Sequence, residues 1–186
     1  MPLVTLIGYR GTGKSTVAVH LARRLACPWH DADDELEAAV GMPIARLVQE
    51  RGEPAFRDEE STILARLLER GRCVLATGGG VVLRDANRDA LRARGGLVVW
   101  LTAPADVIRR RLAADPSTAT RRPGLTGADP LAEVDAALAR CEPLYRECAG
   151  CVVDTGTAAP GAIVETILAR LTGRDGPAGP DGGGRA

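Results

Sequence analysis

The chain has 186 residues, enough for one α/β domain and too few for a second sizeable core. Hydrophobic residues make up 45 %, which excludes wholesale disorder, and 24 basic residues balance 24 acidic ones. With no basic excess and no run of 18 apolar residues, neither a nucleic-acid nor a membrane partner is expected, and any anion site must be local.

Short apolar runs alternate with helical stripes, the pattern of a parallel sheet. The opening MPLVTLIG lacks a basic leader and a cleavage site, so Leu3–Ile7 reads as a strand rather than a signal peptide. A helix follows from about Lys14, with Val17, Leu21 and Leu25 on one face. A short strand lies around Trp29–Asp31. Leu36 and Val40, then Ile44, Leu47 and Val48, mark two helices with Gly41 and Gly52 as stops. After Pro54 another helix buries Phe56, Ile63, Leu64 and Leu67 and ends at Gly71. The third strand is Cys73–Ala76. Asp85 caps a short helix carrying Leu91. The fourth strand is Leu97–Leu101, and Pro104 opens a helix with Val107, Ile108 and Leu112.

Residues 113–127 have no apolar period and are rich in Pro, Thr, Gly and Arg, which predicts a mobile basic loop. Asp129-Pro130 opens a long helix by cap and proline. Its stripe is Leu131, Val134, Leu138, Cys141, Tyr145 and Cys148. Cys151–Val153 is the last strand and Pro160–Leu171 the last helix. From Gly173 the composition predicts a disordered tail. The domain therefore covers 1–172, with a helical insert at about 32–60, the loop at about 113–127 and a tail at 173–186.

The chain contains a single lysine, Lys14. It falls in Gly8-Tyr9-Arg10-Gly11-Thr12-Gly13-Lys14-Ser15, a complete G-x-x-x-x-G-K-[ST] between an apolar strand and an amphipathic helix. Such a loop turns successive backbone N–H groups onto phosphates, and the helix N-terminus adds positive potential. Lys14 reaches the β- and γ-phosphates and the Ser15 hydroxyl can ligate Mg²⁺. The loop read as an ordinary glycine turn leaves the lone lysine unexplained.

A P-loop enzyme needs an acid at the end of a second strand for Mg²⁺. The third and fourth strands end in Thr77 and Thr102, and the second ends in Asp31-Ala32-Asp33. Asp31 is thus the metal partner by position, and Asp33 is left for an acceptor hydroxyl. The plainer reading is that Asp31, Asp33 and Asp34 cap the following helix. Asp154 competes for the metal from an edge strand. Gly78-Gly79-Gly80 offers bare backbone where the third strand reaches the ligand edge of the sheet. Arg57 is turned about 100° from buried Phe56, which by itself reads as solvated. Arg122, with Arg121 beside it, lies in the mobile loop, where an arginine can close over the transferring phosphoryl group. One of Arg109, Arg110 and Arg111 could stack on adenine, the rest being solvated surface.

With these residues in place the chain resembles the shikimate kinases over about residues 3–172. The carriers are G-Y-R-G-T-G-K-S-T at 8–16, D-A-D at 31–33, G-E-P-A-F-R at 52–57, G-G-G at 78–80, R-P at 122–123 and P-L-Y at 143–145. The resemblance implies a P-loop kinase fold with a five-stranded parallel core flanked by helices, a substrate-binding insert and a lid. It implies ATP-dependent phosphorylation of shikimate at its 3-hydroxyl, with Mg²⁺ as cofactor. Gly11, Thr12, Gly13, Lys14, Ser15, Thr16 and Arg122 would hold ATP, with Lys14, Asp33 and Arg122 catalytic. Ser15 and Asp31 would hold the metal. Asp33, Arg57, Gly79 and Gly80 would meet shikimate, Arg57 through its carboxylate.

There is one departure. The family pattern R-x-P-L-Y places a second carboxylate-binding arginine where this chain has Cys141, and the neighbouring arginine, Arg140, lies off the helical stripe. Either a kink at Pro143 swings Arg140 in to bind substrate or it points at water. A lost charge-assisted contact of that kind costs about 1.5–3 kcal/mol, or roughly one to two powers of ten in affinity. A related kinase acting on another small hydroxy acid or a nucleotide therefore stays open, as does an ATP-binding protein that has lost transfer.

The five cysteines (Cys27, Cys73, Cys141, Cys148 and Cys151) follow no disulfide framework and read as free thiols in a reducing cytoplasm. Cys148-x-x-Cys151 lacks further ligands at zinc spacing, and reads as a helix end meeting a strand. Trp29 and Trp100 are expected in the core, and the protein is expected to be a monomer.

Overall fold

The computed structural model describes residues 1–115 and 134–173. Strands β1 (Val4–Ile7), β2 (Trp29–Asp31), β3 (Val74–Ala76), β4 (Leu97–Thr102) and β5 (Cys151–Asp154) form one parallel sheet in the order β2-β3-β1-β4-β5. β1 is central, with Thr5 in register with Leu75 on one side and Val98 on the other. Strands covered on both faces read as unbroken apolar runs, and VTLI is fully buried.

Alternation along each strand sorts the core into two layers. Val4, Leu6, Val74, Val99 and Leu101 face α1 (Lys14–Leu25) and the last helix, α7 (Pro160–Leu171). Ile7, Leu75, Val98 and Trp100 face the other layer. That layer comprises α2 (Ala32–Val40), α3 (Ile44–Glu69), α4 (Asp85–Arg94) and α6 (Val134–Cys148). Between them in the chain, α5 (Ala105–Ala114) packs Ile108 and Leu112 against Val134 of α6.

α3 is two helical segments broken at Gly52, whose φ of 83° a side chain would oppose. Pro54 sits in the first turn of the second segment, where its missing N–H costs no hydrogen bond. Arg57, in the second segment, reaches Gly80 in the loop after β3.

Two expectations need correction. Trp29 is 37 % exposed, because β2 is an edge strand. Asp85 is the first helical residue of α4 rather than its cap, which is Arg84. The cap of α2 is Asp31 itself, whose carboxylate accepts the Asp33 N–H at 3.0 Å. The loop containing Arg121 and Arg122, the helix start at Asp129-Pro130 and the tail beyond Gly173 lie outside the described residues.

Candidate active site

β1 lies between β3 and β4. The chain leaves β1 toward β2 on one side and later crosses from β3 over β1 to β4 on the other, so a crevice opens at the carboxyl end of β1. Residues 8–13 fill it. Gly8 has a φ of 137°, and a Cβ there would stand 2.3 Å from the Leu101 carbonyl oxygen. Only glycine lets the loop cross the end of β4 so closely. Lys14 Nζ donates to the carbonyls of Gly8 at 2.8 Å and Tyr9 at 3.0 Å, curling over the loop it belongs to.

A cleft of about 370 Å³ gathers Gly13, Lys14, Ser15, Asp31, Asp33 and Gly79. Gly11, Thr16 and Arg111 line it too, while Thr12 is buried behind it. The Ser15 hydroxyl donates to Asp31 Oδ2 at 2.6 Å, so the two predicted metal ligands meet. Burial pushes the Asp31 carboxyl above the usual carboxylate range, an effect the Ser15 hydrogen bond opposes and the Asp33 charge reinforces. A hydroxyl and a partly buried carboxylate, with a second carboxylate adjacent, form a hard oxygen donor set suited to Mg²⁺, whose charge would offset that burial. Among the described residues no group of three or more His, Cys, Asp or Glu forms a metal cage.

Arg57 is not the solvated residue that its position next to Phe56 suggests. It is 7 % exposed. Nη1 donates to Glu60 Oε2 at 2.7 Å, and Nη2 and Nε donate to Glu53 Oε1 at 3.1 and 3.3 Å. Its guanidinium lies 4.7 Å from the Phe56 ring centroid. It also fills the space over Gly80, where a Cβ would come within 2.4 Å of Nη1. The glycine run thus serves close approach of a guanidinium. The neighbouring Gly79 carbonyl accepts the hydroxyl of buried Tyr145 in α6.

Arg140 is exposed and Cys141 buried, so the helix turns the thiol, not the guanidinium, inward. Pro143 lies inside α6, which nonetheless runs on to Cys148. Of the three arginines before the loop, Arg109 pairs with Asp135 and Arg110 is exposed. Arg111 faces the P-loop and donates to the Gly11 carbonyl at 3.2 Å. Asp154 receives the Gly156 N–H at 2.7 Å and is no partner of Ser15. Arg122 lies outside the described residues.

Sequence reasoning missed Thr155 and Glu60, and it placed Glu53 and Tyr145 within motifs without giving either a role. The glutamates sit at i−4 and i+3 from Arg57, helical spacing for ion pairs, and could have been found. Thr155 carries no local signal.

The family description "Shikimate kinase" matches residues 10–172. A shikimate kinase of Rhodopirellula baltica is 42 % identical over 163 residues, covering 88 % of this chain and 87 % of its own. One from Pseudomonas savastanoi pv. phaseolicola is 44 % identical over 166 residues, 89 % of this chain and 94 % of its own. The solved shikimate kinase from Acinetobacter baumannii in complex with shikimate superposes with a TM-score of 0.84 at 33 % identity, over 92 % of this chain and 93 % of that one. With matches of that identity and extent joined to a complete phosphate loop on a five-stranded parallel sheet, the chain belongs to the shikimate kinase family.

Proposed function

We propose that this chain transfers the γ-phosphoryl group of ATP to the 3-hydroxyl of shikimate, releasing ADP and shikimate 3-phosphate. The observation that carries this is the cleft itself. It brings Lys14 and the Ser15–Asp31 pair together with Asp33 and Gly79, beside the buried Arg57.

The amides of residues 11–16 and the Lys14 ammonium hold the phosphates and balance their charge. Asp33 accepts the proton of the attacking hydroxyl. That oxygen forms the new bond to Pγ, and the bridging oxygen leaves with ADP. Arg57 pairs with the shikimate carboxylate, and the backbone of Gly79 and Gly80 meets the ring. Mg²⁺ held by Ser15 and Asp31 would supply charge neutralisation of the phosphates. Of Arg109, Arg110 and Arg111, the one we assign to the adenine side is Arg111, which lines the cleft, and to Arg122 we assign a closing positive charge. We take the protein to act as a cytoplasmic monomer. No helix of the described residues is long and apolar enough to cross a membrane.

One observation favours a second acceptor: Cys141 is buried where the family pattern has arginine, and Arg140 is exposed. Coupled ADP release with and without shikimate tests the proposal. Shikimate-dependent turnover is expected. Turnover only with another small hydroxy acid would replace the acceptor, and ATP binding without turnover would remove the activity.

A further inference from the structure

A phosphate cradle turns its amide N–H groups inward, and the same peptide planes turn carbonyls outward. Those carbonyls need donors if the loop is to hold that shape without phosphate. Gly8 and Tyr9 receive Lys14, and Gly13 receives the Val17 N–H at 2.9 Å. Two further carbonyls of the loop are served from elsewhere in the fold. Gly11 accepts from Arg111 Nη1 at 3.2 Å, and Thr12 from the Thr155 hydroxyl at 3.0 Å.

Thr155 directly follows β5 and is 2 % exposed. Its hydroxyl also lies 2.9 Å from the Thr102 carbonyl, but that carbonyl already takes the Thr155 N–H at 2.8 Å. The hydroxyl lies between two carbonyls, and among the described residues the Thr12 carbonyl is the one of the two that takes no other donor. Arg111 completes the unit: Nη1 donates to Thr155 Oγ1 at 3.1 Å and Nη2 to the Thr155 carbonyl at 2.6 Å. The hydroxyl thus accepts from a cation while donating to the loop, an arrangement in which each bond polarises the next. One buried side chain joins the end of β4, the segment after β5 and α5 to the back of the loop.

We infer that Thr155 is a positioning residue for nucleotide binding, holding the middle of the P-loop in its phosphate-receiving shape from behind. It acts through the loop's carbonyls. The inference rests on residues 8–15 being the nucleotide cradle, as proposed above, and not on which acceptor is used.

Thr155→Val keeps the shape and removes the hydroxyl. Affinity for ADP and for a non-hydrolysable ATP analogue, read by calorimetry, is expected to fall about tenfold, the scale of one lost buried hydrogen bond. KM for shikimate should move by less than about twofold, and Thr155→Ser should restore nucleotide binding. Unchanged nucleotide affinity in Thr155→Val overturns the inference. So does a Thr155→Ser variant as weak as Thr155→Val, or an equal loss for both substrates, which would indicate general loosening. If Thr155→Val does not fold, Thr155→Ala makes the same comparison with Thr155→Ser. A wild-type chain that binds nucleotide but ignores shikimate removes the acceptor proposal and leaves this one standing. A wild type that binds no nucleotide removes both.

Discussion

The Ser15 hydroxyl donates to the Asp31 carboxylate over 2.6 Å, tying the first turn of α1 to the end of β2. Asp31 also caps α2, so one side chain serves the fold and the site together. Asp31→Asn keeps Oδ1 as acceptor for the Asp33 N–H, sets an amide NH₂ against the Ser15 hydroxyl, which can accept from it, and removes the charge. The Mg²⁺ concentration giving half-maximal activity should rise at least about tenfold, with little change in melting temperature. A Mg²⁺ titration identical to wild type would remove Asp31 from the metal site.

Gly80 has no room for a methyl group, because the Arg57 guanidinium occupies that space and is anchored by Glu53 and Glu60. Gly80→Ala should push Arg57 off its glutamates. The expected result is a KM for shikimate raised about tenfold or more, with KM for ATP nearly unchanged. Steady-state kinetics with each substrate varied in turn reads the split.

Arg57 and Glu60 are both buried. Arg57→Ala strips a buried carboxylate of its cation and should cost about 3 kcal/mol of stability, measured by urea unfolding. Adding Glu60→Gln should recover much of that loss without recovering acceptor binding. Recovery of both would make Arg57 a purely structural residue.

Burial pushes the Cys148 thiol up to about 11, and burial also raises Cys27 and Cys73. A raised folded-state value favours the neutral thiol. Its stabilising contribution is complete below the unfolded value of about 8.5 and is lost as pH climbs toward 11. Unfolding midpoints should therefore decline between about pH 8.5 and 11, and Cys148→Ala should flatten the decline. An equal slope in the variant would show that Cys148 does not contribute.

Cys141→Arg restores the family's arginine on the inward face of α6. KM for shikimate should fall by about one to two powers of ten, the value of a charge-assisted contact to a carboxylate. An unchanged KM would mean that Arg140 or another group already fills the role.

Much of this protein was legible in the chain because its signals are contiguous. The phosphate loop is eight consecutive residues whose backbone does the binding, so its chemistry survives in one dimension. β1, β3 and β4 showed as apolar runs because both faces of the sheet are covered there, and Asp31 was found because a strand end predicts a ligand edge.

Tertiary structure alone decided what depends on partners distant in sequence. Thr155 lies 143 residues from Thr12, and nothing near it announces the contact. Arg57 is buried rather than solvated because the glycine run closes over it. Trp29 is exposed because its strand is at an edge, a property of strand order and not of the strand's own residues. Cys148 and Cys151 share a motif spacing yet pack in opposite layers of the core. Local physics set each element and the phosphate loop, whereas burial and pairing are properties of neighbours, and neighbours are assigned only when the sheet is assembled.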